Sequence, residues 1–378
     1  MDSNPGYYAE TYEENRANFR DLLGEIKRHW PAAELSHYPV ETGDEDLTID
    51  LIRALPLQGK KRLIFLSTGL HGIEGYVGAA VVKLFVKEYL HQLNPGDTGL
   101  YLVHAINPWG MKHRRRVNEN NVDLNRNFIY EQQNGYQDLN RAYDRAHSFL
   151  NPQKPLKTVA NPLFYLKLLN LILCMGPANF REAVLYGQYR YPQGLYYGGT
   201  GFERSTTILS NLFQEAASSC ERFLLIDMHT GYGPRYQMTI VNSIHEKRAS
   251  ADLQISSNYP LVAKADPDEF YQMQGDMVDY LYLLLKDIFP GKYFYATSFE
   301  FGTFGSSFGA VIKSLKAMIE ENRVSRHGAA STEVAKKARH DFCELFYPTE
   351  KKWREKVLQD ARSAFTGILK AEQFIDQV

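Results

Sequence analysis

Hydrophobic positions change their period several times along the chain. Between residues 7 and 29, Tyr12, Phe19, Leu22, Leu23 and Ile26 fall at helical spacing with charges between them, which predicts an amphipathic helix. After a turn-rich stretch, Leu47 to Ala54 alternates as a strand does, with Leu47, Ile49 and Leu51 on one face. Arg62 to Ser67 reads RLIFLS, a short apolar run that suits a strand buried on both faces. Gly75 to Leu90 predicts a long helix, and Leu100 to Ile106, Arg222 to Met228 and Phe294 to Phe301 predict three further buried strands. Strands separated by helical segments predict an α/β fold, a mostly parallel mixed sheet flanked by helices.

From Tyr130 to Cys220 the pattern differs. Gln132 to Phe149 and Pro162 to Cys174 read as helices, followed by the turn-rich QYRYPQGLYYGGTG at Gln188 to Gly201. Because strands resume afterwards, residues 130–220 are expected to be a helical insertion within one domain spanning 1–378. Pro348 to Gln373 predicts a C-terminal helix.

Composition narrows the function. Hydrophobic residues make up 44% and aromatic residues 13%, enough for a core and unlike a disordered chain. Forty-three Lys and Arg against 44 Asp and Glu give a net charge of −1, which argues against nonspecific nucleic-acid binding. The longest nearly apolar run, Leu168 to Met175, is short of the roughly 20 residues a bilayer needs. Met1 to Phe19 lacks the basic start and apolar stretch of a signal peptide. Cys174, Cys220 and Cys343 are too few and too scattered for a disulfide framework or a cysteine zinc site. The expectation is a soluble, cytoplasmic, globular protein without nucleic-acid or membrane partners.

Four segments carry candidate chemistry. TGLHGIEG, Thr68 to Gly75, follows one predicted strand and precedes a helix, a position where open α/β sheets bind ligands. Its His71 and Glu74 are three apart, so an imidazole and a carboxylate can converge on one ion. IDMHTGYG, Ile226 to Gly233, places His229 at another strand end, with Asp227 two residues earlier on the same face. With His71 and Glu74 it completes a His, Glu, His set, and three protein ligands with one open position is the catalytic arrangement for zinc. SFEFGTFG, Ser298 to Gly305, holds Glu300, a carboxylate inside an aromatic strand that can serve as general base beside a metal. Asn107 to Phe128 contains KHRRR and VDLNRNF, where Arg115, Arg116, Asn125 and Arg126 can bind carboxylates and carbonyls. KHRRR, Lys112 to Arg116, can also be read as a solvated basic turn or as a nucleic-acid patch, and the absence of an aromatic-interleaved basic stretch argues against the patch.

The order H-x-x-E, VDLNRNF, D-x-H after a strand and E-x-G in a late strand resembles the zinc carboxypeptidase superfamily, which includes the aspartoacylase and succinylglutamate desuccinylase branch. The likeness runs from about Thr68 to Gly305, with the 130–220 insertion and both termini outside it. It implies that His71, Glu74 and His229 bind Zn²⁺, that Asp123 orients His71, and that Glu300 activates water. Asn125 and Arg126 would hold a substrate carboxylate, and either Arg115 or Arg116 would stabilise the oxyanion. Carboxypeptidases also place a mobile tyrosine over the substrate; Tyr271 and Tyr280 are the candidates, with Tyr271 preferred. Tyr196, Tyr197, Gly198 and Gly199 have no counterpart and would wall or cap the specificity pocket. The implied reaction is cleavage of an amide bond beside a free carboxylate, in a small peptide or, alternatively, in an N-acyl amino acid. A metal-binding but inactive interaction module is the third reading.

Overall fold

The computed structural model describes residues 6–40, 43, 46–59, 61–130, 139–266, 268–269 and 273–376. Eight strands form one sheet: β1 Glu34–Pro39, β2 Thr48–Ala54, β3 Arg62–Thr68, β4 Thr98–His104, β5 Arg222–Gly231, β6 Met238–Asn242, β7 Val262–Lys264 and β8 Tyr293–Gly302. Their spatial order is β1-β2-β4-β3-β5-β8-β6-β7. The central pairs β4/β3, β3/β5 and β5/β8 are parallel, as is β6/β7, whereas β1/β2, β2/β4 and β8/β6 are antiparallel. The fold is therefore α/β on a mixed sheet, as its sequence pattern predicts.

The helices are α1 Tyr12–Ile26, α2 Gly75–Tyr89, α3 Pro108–Lys112, α4 Ala142–Leu150, α5 Pro162–Met175, α6 Pro177–Leu185, α7 Arg204–Ser218, α8 Ser250–Ser257, α9 Met277–Ile288, α10 Phe308–His327, α11 Thr332–Phe346 and α12 Lys351–Ala371. They cover both faces of the sheet, which explains the continuous apolar runs. Along β3, Ile64 and Leu66 enter one core with α1, α2 and α12, while Leu63 and Phe65 enter another with α7 and α9. β5 divides the same way, with Leu224 and Ile226 on one side and Phe223 and Leu225 on the other.

The one-sided alternation expected for Leu47 to Ala54 is corrected. β2 lies between β1 and β4, so Ile49 and Leu51 pack in one core and Ile52 and Ala54 in the other. The helix expected over Gln132 to Phe149 is seen as α4 at its C-terminal part; residues 131–138 lie outside the described ones. Within 139–220, α5 and α6 meet at a bend of 112°. Among the described residues no single helix is long and apolar enough to cross a membrane, although this bent pair taken together has the length and composition.

Candidate metal centre

Because β3, β5 and β8 are neighbouring parallel strands, their C-terminal ends open on the same edge of the sheet. His71 and Glu74 follow β3 in a tight turn, Gly72–Glu74, whose Gly72 and Ile73 amides donate to the Arg116 and Arg115 carbonyls at 3.2 and 2.9 Å. Glycine is required at 72: a Cβ there would lie 2.1 Å from the Gly110 carbonyl carbon. Gly69 turns the chain out of β3 with φ of +74°, against Ala105. His229 and Glu300 are register partners on β5 and β8, so their side chains leave the sheet side by side.

All four residues are buried. Glu74 stands between the two imidazoles, with Oε1 3.1 Å from His71 Nδ1 and Oε2 3.3 Å from His229 Nδ1. One ligand atom from each of these three residues lies within 4.8 Å of the other two. Each ring has its second nitrogen on a carboxylate: His71 Nε2 is 2.9 Å from Asp123, and His229 Nε2 is 2.7 Å from Asp227. Ser67 Oγ and the Asn125 amide in turn donate to Asp227 and Asp123. Both rings are thus held with Nδ1 toward Glu74, the arrangement that metal-bound histidines favour.

His71 Nδ1 is buried without a hydrogen bond, 3.1 Å from Glu74 Oε1. A buried donor or acceptor left this way is costly, and a cation held by His71, Glu74 and His229 would remove the cost. Two imidazoles and one carboxylate are a donor set that zinc accepts, at about 2.0–2.2 Å per ligand. The residues therefore fit a metal ion.

Electrostatics follow from this crowding. Burial and then the nearby Glu74 carboxylate push the Glu300 carboxyl up to about 8, and its Oε1 accepts the Tyr232 amide at 3.0 Å. Burial also works against charge on Glu74, but His71, His229 and Arg116 outweigh it and hold Glu74 well below the usual range. For His229, Asp227 and Glu74 likewise override burial and favour the charged ring.

Of the two arginines left open by the sequence, Arg116 reaches this group. Its guanidinium lies 2.8 Å from Glu74 Oε1, 2.8 Å from His71 Nε2 and 3.3 Å from Asp123 Oδ2. Arg115 turns away to pair with Glu321 at 2.9 Å. Asn125 and Arg126 line the same cleft. Asn125 bridges Asp276 and the Met277 amide at the start of α9, and Arg126 gives its two Nη groups to the Asn125 and Leu185 carbonyls. The Arg126 Nε–H is buried without a partner.

Tyr271 lies outside the described residues. Tyr280 is excluded as a cover for the cleft: it is buried among Phe128, Tyr130 and Phe202 and bonded to Ser210. Tyr196 does line the cleft, as does Tyr232, which no sequence signal singled out.

The sequence family described as "Protein of unknown function (DUF2817)" matches residues 8–360. The chain belongs to this family. No curated protein sequence matches it. Among solved structures it is similar to carboxypeptidase A from Helicoverpa armigera, at 12% identity and a TM-score of 0.48 over 89% of this chain and 73% of that one. It is also similar to bovine thrombin-activatable fibrinolysis inhibitor, at 14% identity and a TM-score of 0.46 over 87% and 98%. The succinylglutamate desuccinylase of Chromobacterium violaceum matches at 14% identity and a TM-score of 0.35 over 82% and 74%.

Proposed function

We propose that this protein is a zinc-dependent hydrolase that cleaves an amide bond beside a free carboxylate. The observation that carries the proposal is the convergence of His71, Glu74 and His229, each ring backed by its own carboxylate, with Glu300 emerging next to His229. When bound there, zinc supplies Lewis-acid polarisation of the carbonyl and acidifies a water.

The remaining work falls to side chains. A cation held beside Glu300 would offset the burial and the Glu74 charge that raise its pKa, and Glu300 then takes the proton of the attacking water and passes it to the departing nitrogen. Arg116 stabilises the charge that develops on the carbonyl oxygen, from a position fixed by Glu74 and Asp123. The unpartnered Arg126 Nε–H is the donor for a substrate carboxylate, and Asn125, bound to Asp276 and the Met277 amide, lines the cleft beside it. Substrates on this reading are small, a short peptide or an N-acyl amino acid.

Elemental analysis of the purified protein should find about one zinc per chain, and His71→Ala or His229→Ala should each lose most of it. The zinc protein should cleave substrates with a free carboxylate far better than their amides. Full metal retention in both variants would overturn the reading.

A further inference from the structure

The cleft behind the metal centre is lined mainly by apolar side chains, and counting its open mouth it encloses about 1360 Å³. One wall is a stripe on α10: Phe308, Val311, Ile312, Leu315 and Met318, spaced at i, i+3, i+4, i+7 and i+10. At 1.5 Å per residue it runs for about 15 Å. Phe308 and Val311 at its start are 72% and 39% exposed, whereas Leu315 and Met318 are 7% exposed. The stripe thus leads from an uncovered apolar mouth into the protein. Surface of this kind gains free energy when an apolar ligand covers it. Phe180 and Val184 of α6 line the same cleft.

The two ends of the cleft differ in chemistry. Asn125 is tied to the start of α9, and Arg126, held by the Asn125 and Leu185 carbonyls, offers its Nε–H to a carboxylate. α10 follows β8, the strand of Glu300, and Phe346 of α11 lies under the Arg116 guanidinium at 5.5 Å. α10 is joined to the Glu300 strand, and that connection is the ground for assigning its apolar stripe to the acyl side of a bound amide.

We infer that the acyl group laid along α10 is an unbranched aliphatic chain, so that the substrates are N-acyl amino acids with medium to long acyl groups. The identity of the cleaved bond rests on the hydrolase reading above; the apolar site does not. A second acidic group on the acyl side, as in a succinyl group, would be buried against a stripe that carries no cation. A peptide there would bury N–H and C=O groups against the stripe, where the Ser314 hydroxyl is already given to the Ala310 carbonyl. A hydrocarbon chain carries neither cost.

The test compares N-acetyl, N-butanoyl, N-octanoyl and N-dodecanoyl derivatives of one amino acid, together with dipeptides, on the zinc-loaded protein. kcat/KM should rise up to about fourfold per added methylene until the stripe is covered. In parallel, calorimetric titration of the metal-free protein with butanoate, octanoate and dodecanoate should show tighter binding with length. Val311→Asp and, separately, Phe308→Ser, both at exposed positions that folding tolerates, should flatten the length dependence in both experiments. Binding and hydrolysis indifferent to chain length, or better cleavage of acetyl compounds and dipeptides, would overturn the inference while leaving the hydrolase reading intact. Length-dependent binding that the variants abolish, without hydrolysis of any amide, would keep the apolar site and sink the hydrolase reading.

Discussion

Replacing Asp123 by Asn tests how the metal centre is held together. The change keeps the volume of a fully enclosed side chain but removes its charge and one acceptor oxygen. In the wild type, Asp123 Oδ1 lies 2.9 Å from His71 Nε2 and accepts the Asn125 amide at 3.2 Å, while Oδ2 accepts Arg116 Nε at 3.3 Å. An asparagine that turns its oxygen to His71 points an NH₂ group at the Arg116 guanidinium, donor against donor. The ring then loses its fixed orientation, and Arg116 loses one of its two carboxylate anchors. Loss of such a partner to a metal-bound histidine typically weakens metal binding about 10- to 100-fold, equivalent to about 1.4–2.7 kcal/mol. Asp227→Asn, on the other histidine, should act in the same direction, since Asp227 approaches His229 Nε2 to 2.7 Å. Zinc dissociation constants from chelator competition supply the measurement, with circular dichroism to confirm that both variants fold. Affinities within twofold of wild type in both folded variants would refute the argument that these carboxylates position the imidazoles.

Two further outcomes are expected. Glu300→Gln should retain the fold and the zinc but lose about a hundredfold to ten-thousandfold in kcat, because proton transfer is removed and coordination is not; if zinc were lost instead, Glu300 would be a ligand. His104 is buried and stacked on Phe19 at 5.1 Å, and burial lowers its pKa to about 4. The folded state keeps this ring neutral, so its contribution to stability is complete above pH 6.5 and disappears as pH falls through 4. His104→Phe should therefore reduce the stability lost between pH 7 and pH 4 by at most about 3 kcal/mol in denaturant titrations; identical losses in both proteins would contradict it.

How far these features are visible in the chain depends on how far apart their determinants lie. β3, β4, β5 and β8 are buried on both faces, and their unbroken apolar runs announce it. β1, with the sequence ELSHYP at an edge of the sheet, carries no apolar pattern, and β6 and β7 are too short to stand out. Chemistry confined to a few residues was equally readable. His71 and Glu74 share one turn, Asp227 and His229 share one face of one strand, and period alone relates the members of each pair.

Tertiary structure decided what spacing cannot express. The parallel order β3-β5-β8 carries residues 71–74, 229 and 300 to one edge, although they are separated by more than two hundred residues of chain. Arg115 and Arg116 are adjacent in sequence, and the turn that holds Gly72 and Ile73 sends one to Glu321 and the other to Glu74. Tyr280 went to the core with Phe128, while Tyr196, held at φ of +61° in the segment between α6 and α7, came to the cleft. The apolar stripe of α10 reads in sequence like any buried helix face, and the cleft alone shows that its first turn is left uncovered. Local periodicity determines which residues share a face, because backbone geometry sets it within a few residues. Which faces meet, and which stay open for a ligand, is set by packing between distant elements.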